Sequence, residues 1–227
     1  FGGCGNSREL GEFDIVAGMG IDKSEAGYKV TLELMYLTGA MQDGMKSFTI
    51  ELEGETVPNA LDSAKSKLSN QLHFGNMQVI VISAEIAREE GIDDLLNFFV
   101  RDTDIRETIP LVIAADSTSG DVLSANGVDI DIASYTLEKM LNPSHKSNSH
   151  TKEVSIYNAV DTLRTPGKTL VLPIAQAVPG EGEEKEINLA GIGVFQEGKL
   201  YYMLPQKDTA YYSCITDRLY EHEPSFD

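Results

Sequence analysis

The sequence predicts an α+β (mixed α/β) fold in two domains, each a mostly antiparallel or mixed β-sheet packed with helices. Three stretches carry that expectation. His73 to Ala115 reads as strand, helix, helix, strand, with short unbroken apolar runs at Met77–Ile82 and Leu111–Ala115 of the kind that are covered on both faces. Tyr28–Tyr36 and Phe48–Leu52 alternate apolar with polar residues, which predicts half-buried strands. Ile187–Phe195 and Lys199–Leu204 flank Glu197-Gly198, which predicts a hairpin.

In chain order, Phe13–Ile21 predicts a first strand loosened by Gly18 and Gly20, and glycine-containing connections join it to the two alternating strands as an antiparallel meander. Val57, Ala60, Leu61, Ala64, Leu68 and Leu72 keep helical spacing behind Pro58, which predicts one amphipathic helix leading to the central strand. Ala84–Glu90 predicts a short helix stopped by Gly91, and Ile92, Leu95, Leu96 and Phe99 a second that closes at Arg101-Asp102. We place the first domain at residues 5–115 and a second α+β domain at 116–227. In the second, Val122–Ala125 predicts a helical turn and Ile130–Leu141 a helix capped by Asp129 or Asp131. Asn142–Ser149 predicts a polar loop, and Ile156–Leu163 a helix ended by Pro166-Gly167. A strand at Thr169–Val178 precedes the hairpin, and Lys207–Tyr220 predicts a last helix that contains Cys214.

The 227 residues are 41% hydrophobic, enough for a sizeable core, and carry a net charge of −18 spread along the chain. That balance argues against nucleic acid, whose binders concentrate Lys and Arg, and against adsorption to anionic lipid through a basic face. No apolar run approaches the ~18 residues that cross a bilayer as a helix. Two cysteines, Cys4 and Cys214, cannot build a disulfide framework. Cys4 follows Phe1-Gly2-Gly3, and small residues just before a cysteine are what a bacterial lipoprotein processing site looks like. The usual site has leucine where this chain has Phe1, so an ordinary thiol stands beside a lipidated one.

Chemistry finds little to hold on to. Gly18-x-Gly20 and Gly191-x-Gly193 lack the third glycine and following helix of a phosphate cradle, and close packing accounts better for them. His145 and His150 share the polar loop without a cysteine or an ordered neighbour, so no metal and no cofactor is expected. No nucleophile elbow occurs, and Asp102 and Asp104 between Arg101 and Arg106 suit a local ion-pair cluster better than catalysis. No catalytic residue is assigned, and the chain is read as not an enzyme.

The opening CGNSRELGEFDIVAGMGIDK resembles the mature start of the C-subunit lipoproteins of spore germinant receptors, the GerAC or Ger(x)C family. That family begins with a lipidated cysteine, an Arg-Glu-Leu-like step and an apolar strand ending in Gly-Ile-Asp-Lys. Arg8-Glu9-Leu10 and Gly20-Ile21-Asp22-Lys23 stand in those places, with Gly5 where tryptophan is common. Ile86-Ala87, Gly91-Ile92, Leu95 to Phe99, Arg101-Asp102 and Ile105-Arg106 match the family's central helix and its Arg-Asp-x-x-x-Arg element, and Ala190–Leu204 resembles its strand, Gly-Lys-Leu turn and strand. The resemblance implies a lipid anchor on Cys4 and an ectodomain on the outer face of the spore inner membrane. It also implies integral-membrane receptor subunits as partners, and a third, C-terminal domain in longer members. The expected function is a non-catalytic subunit of a nutrient-responsive germination receptor, acting in assembly and coupling. Arg8, Glu9, Arg101, Asp102 and Arg106 are then candidate interface or domain-positioning groups. The alternatives are a module that binds the germinant in an interdomain cleft and, behind it, an envelope enzyme.

Overall fold

Four apolar strands run parallel through the middle of the molecule. In the computed structural model, which describes residues 13–37, 45–125, 132–142, 153–180 and 184–215, these are β1 (Phe13–Ser24), β5 (Val79–Ser83), β6 (Leu111–Ala114) and β7 (Val171–Pro179). Every residue of β5 and β6 is buried, as their unbroken apolar runs require. Antiparallel strands extend the sheet on both sides. β2 (Gly27–Leu37) and β3 (Met45–Gly54) form the predicted meander beyond β1, and β8 (Lys185–Gln196) with β9 (Lys199–Pro205) the predicted hairpin beyond β7. The result is one nine-stranded sheet of order β3-β2-β1-β5-β6-β7-β8-β9, with β4 (Gln71–His73) paired to β1 off this path. The path crosses 115/116 through β6 and β7, where Ala115 N donates to Ala175 O at 3.1 Å.

Helices cover both faces. On one lie α1 (Val57–Ser63), α2 (Ala84–Glu89), α3 (Asp93–Arg101) and α6 (Ile156–Arg164), whose Val57, Ile86, Leu96, Phe99 and Ile156 join the larger core with Leu32, Ile80 and Ile82. On the other lie α4 (Ser119–Leu123) and α5 (Ala133–Leu141), whose Val122, Leu123, Leu137 and Leu141 pack on Val79, Val81 and Val112. A last helix, α7 (Gln206–Ile215), follows β9. The expected caps Asp129 and Asp131 and the polar loop at 143–149 lie outside the described residues.

Two expectations are corrected. The helix spaced from Val57 to Leu72 stops at Ser63, continues as a 3₁₀ turn over Ala64–Ser66, and Leu72 belongs to β4. Ser63 and Ser66 donate their hydroxyls to the carbonyls of Ala60 and Ser63, local bonds that compete with helix continuation. The edge of β1 at Phe13–Ile15 then takes residues 71–73 as a parallel partner. β2 is also not half-buried along its length: Thr31, Glu33 and Met35, on the face read as wet, are buried under α4 and α5.

Turn chemistry follows the sequence closely. Glu197 (φ 50°) and Gly198 (φ 75°) both take positive φ, as a two-residue hairpin with the twist of its strands demands. Gly91 (φ 88°) ends α2, and a Cβ there would lie 2.9 Å from Gly198 O, the carbonyl that accepts from Ile92 N. Gly91→Ala combines a disfavoured backbone with that contact, so we expect it to cost about 1–3 kcal/mol of stability. Urea unfolding should show a lower midpoint with an unchanged slope.

Candidate functional site

The strand directions give the sheet two poles. β1 and β3 start, and β2 ends, at one pole, which is therefore the end nearest in sequence to Cys4, Arg8 and Glu9; those three lie outside the described residues. The connection from β5 to the parallel β6 must return to that same pole, and α3 makes the return. Arg101, Asp102 and Arg106 are therefore brought to the pole where the chain enters the sheet.

Their geometry is that of a structured turn. Asp102 Oδ1 accepts the amide of Asp104 at 2.9 Å, and Asp102 N donates to Phe98 O to close α3. Arg106 Nη2 donates to Met77 O at 3.1 Å, tying the segment before β6 to the segment before β5. The expected ion-pair cluster is corrected here: among the described residues no ion pair involves Arg101, Asp102, Asp104 or Arg106. The turn already occupies the Asp102 carboxylate, and the carbonyl of Met77 takes the Arg106 fork. Beside the turn a cleft of about 490 Å³ opens between α1, β4 and α3, with Leu61, Leu72, Phe74 and Phe98 in its walls and Asp102 and Asp104 at its rim.

The groups that sequence reasoning missed lie beneath α4 and α5. Gly18, Gly20 and Asp22 share one face of β1, since side chains alternate along a strand. A Cβ on Gly18 would overlap Ser134 Oγ, and one on Gly20 would lie 2.6 Å from Ser119 Oγ. The two glycines thus let α5 and α4 sit directly on the strand. Asp22, 4% exposed, takes up the start of α4: Ser119 N and Ser119 Oγ donate to it at 2.8 and 2.7 Å, and Gly120 N at 3.2 Å. Glu33, 1% exposed and opposite Gly18 on β2, does the same for α5. It accepts Ala133 N and Ser134 N at 2.9 Å each, Ser47 Oγ at 2.7 Å, and a short bond from Ser134 Oγ. Each carboxylate meets helix amides that lack intrahelical partners, where negative charge is favoured. Thr31 Oγ1, on the same face of β2, has no hydrogen-bond partner among the described residues.

Burial pushes the Glu33 carboxyl above its ordinary value of 4.5, against the hydrogen bonds from Ser134, Ser47 and Ala133 that pull it down. Both acids are buried, accept from helix amides and serine hydroxyls, and face packed helices. Among the described residues no group of three or more His, Cys, Asp or Glu is placed to hold a metal, and no helix is long and apolar enough to cross a membrane. The sequence signal for these latches was present: an acid two residues after Gly-x-Gly on a strand, and a glutamate inside an otherwise buried one.

The family model described as the spore germination protein N-terminal domain matches residues 6–177. The chain is 26% identical over 180 residues to spore germination protein KC of Bacillus subtilis (strain 168), an overlap of 75% of this chain and 44% of that protein. It is 24% identical over 126 residues to spore germination protein B3 of the same organism, covering 54% of this chain and 33% of that one. The chain therefore spans less than half the length of these curated relatives. No solved structure matches it.

Two outcomes test the latches. Asp22→Ala leaves the start of α4 without its acceptor and should cost about 2–4 kcal/mol, read as a lower urea midpoint. For Glu33, a folded pKa above the unfolded one means that its contribution is complete below 4.5 and is lost as pH rises through the folded value. Glu33→Gln has no such titration, so the stability of the native chain minus that of the variant should fall as the pH rises above 4.5 and through the raised folded value.

Proposed function

Because the chain belongs to the spore germination protein N-terminal domain family, we propose that it is the N-terminal part of a receptor C-subunit that assembles with integral-membrane subunits and couples them to the nutrient signal. In this reading Cys4 carries a lipid anchor and the folded region is an ectodomain on the outer face of the spore inner membrane. A net charge of −18 gives the chain no electrostatic hold on anionic lipid, so an acyl group supplies residence at about 0.8 kcal/mol per buried methylene, with more than one chain needed for stable anchoring.

The observation that supports the assembly role is that the family-like Arg101–Arg106 element lies at the pole where the chain enters the sheet, whereas Gly20–Lys23 closes β1 at the opposite pole. Arg101, Asp102 and Arg106 stand where β1 starts, nine residues after Cys4. Both arginines are exposed; Arg106 acts as a positioning group through its bond to Met77 O. The non-catalytic reading draws support from the two buried acids, whose oxygens are taken by helix and serine donors. The division into domains at residues 5–115 and 116–227 stays a proposal: the first part supplies β1, β5 and β6 of the parallel centre, and the second adds β7 with its hairpin.

A second reading, a small-molecule module, has one observation in its favour, the apolar cleft with carboxylates at its rim. It lies within residues 58–104, inside the first proposed domain and not between the two.

Photo-cross-linking separates these. With a photoreactive residue at Arg101, Glu107 or the exposed Glu25 in the β1–β2 turn at the opposite pole, dormant spores should yield adducts to integral-membrane receptor subunits from the first two positions, at least several-fold above the Glu25 position if the pole is the interface. Capture of bulk envelope protein or wall material alone would remove the assembly role. Arg106→Ala should lower stability by about 1–2 kcal/mol through loss of the Met77 bond, and Arg101→Ala should leave stability within about 0.5 kcal/mol while weakening germination.

A further inference from the structure

The cleft between α1, β4 and α3 joins aromatic walls to an acidic rim. Phe74 and Phe98 supply two half-buried rings to its walls. The Phe98 ring is backed by that of the fully buried Phe99, with centroids 5.5 Å apart, so this wall is set before anything enters. Asp102 follows Phe98 by four residues, about one helical turn, and both line the cleft. Asp102 Oδ1 is held by the amide of Asp104 at 2.9 Å. Asp102 Oδ2 and the Asp104 carboxylate have no hydrogen-bond or ion-pair partner among the described residues. We propose that this cleft binds an organic cation with an apolar body. The body lies against Leu61, Leu72 and the two rings, and the ammonium sits at the rim with Asp102 and Asp104. This rests on the small-molecule reading of the cleft and gives that reading its ligand class.

Volume and charge favour that occupant. The cleft's volume of about 490 Å³ lies within the range of small-molecule sites, which combine apolar walls with a few placed polar groups. Three carboxylates line it against one ammonium, and Lys65 is taken by Asp62 at 2.6 Å, so the charges of Asp102 and Asp104 are left over. Arg101 and Arg106 stand beside those acids without lining the cleft, and Arg106 Nη2 is turned to Met77 O. Both arginines are exposed and their charge is screened by water and salt, whereas a cation at the rim meets the two carboxylates directly. The C-terminal end of α3 adds partial negative charge at the same rim. A neutral ligand would fill the walls and leave both carboxylates unused, and an anion would be repelled. Rings attract a cation through their quadrupole, and the acids beside them add charge-assisted hydrogen bonds to an ammonium.

One aromatic body with three head groups tests this. Phenylbutylamine, phenylbutanol and phenylbutyrate are titrated into the full chain and followed by NMR. The amine should bind at least about tenfold more tightly than the alcohol, with the carboxylate weakest, and the shifts should centre on Leu61, Phe74 and Phe98. Asp102→Asn keeps an oxygen to accept the Asp104 amide. Combined with Asp104→Asn, it should bring the amine to the affinity of the alcohol, with thermal melts confirming that the variant folds. Equal affinity of amine and alcohol for the native chain would overturn the proposal, while saturable binding of both at the cleft keeps the small-molecule reading. An amine affinity untouched by the double variant, or shifts centred away from the cleft, would also overturn it. No saturable shift with any of the three would remove the proposal and the small-molecule reading together.

Discussion

A carboxylate taken out of water must be met by donors on every side, and two of them set the arrangement of this molecule. Asp22 and Glu33 sit on neighbouring strands with α4 and α5 pointing their free amides at them. Neither acid tolerates loss of its helix, because a buried polar group left without its hydrogen-bond partners is costly. The helices in turn find no local substitute for all their amides; α4 has its own capping box from Thr118 and Asp121, yet Ser119 and Gly120 still donate to Asp22. Gly18, Gly20, Ser119, Ser134 and Gly120 are small for the same reason: any larger group would hold the carboxylates and amides apart. One electrostatic requirement therefore explains a cluster of small residues on three elements far apart in sequence.

The same requirement joins what the chain order separates. Residues after Ala115 contribute the helix donors, residues before Gly54 contribute the acceptors, and β6 pairs with β7 between them. The Ile92 amide, which donates to the carbonyl of Gly198, ties the hairpin turn to the α2–α3 corner. The entry pole carries the Arg101–Arg106 turn on one side and the ends of β2 and β3 on the other.

Much of this was legible in the residues. The β5-α2-α3-β6 core, the meander, the hairpin over Glu197-Gly198 and the helix at Ile156 follow from apolar period and turn chemistry, which act over a few neighbouring residues. The family resemblance was legible too, in Arg8-Glu9-Leu10, Gly20-Ile21-Asp22-Lys23 and the Arg101–Arg106 element, and the match over residues 6–177 agrees with it. What failed did so where a distant partner overrides local pattern. Leu68 and Leu72 keep helical spacing, but the edge of β1 recruits Gln71–His73. Glu33 alternates like a solvent-facing residue, and only the arrival of α5 makes it a buried one.

By itself, then, the sequence determined the type and order of most elements, the hydrophobic layers and the kin of the chain, because periodicity, glycine and proline encode local geometry directly. Only the tertiary structure decided that the strands before and after Ala115 form one hydrogen-bonded sheet, that Asp22 and Glu33 are helix anchors, and that the Arg-Asp element shares a pole with the chain's entry. Those outcomes depend on contacts between residues up to about a hundred positions apart. A carboxylate's environment is set by what packs over it, and no local pattern records that.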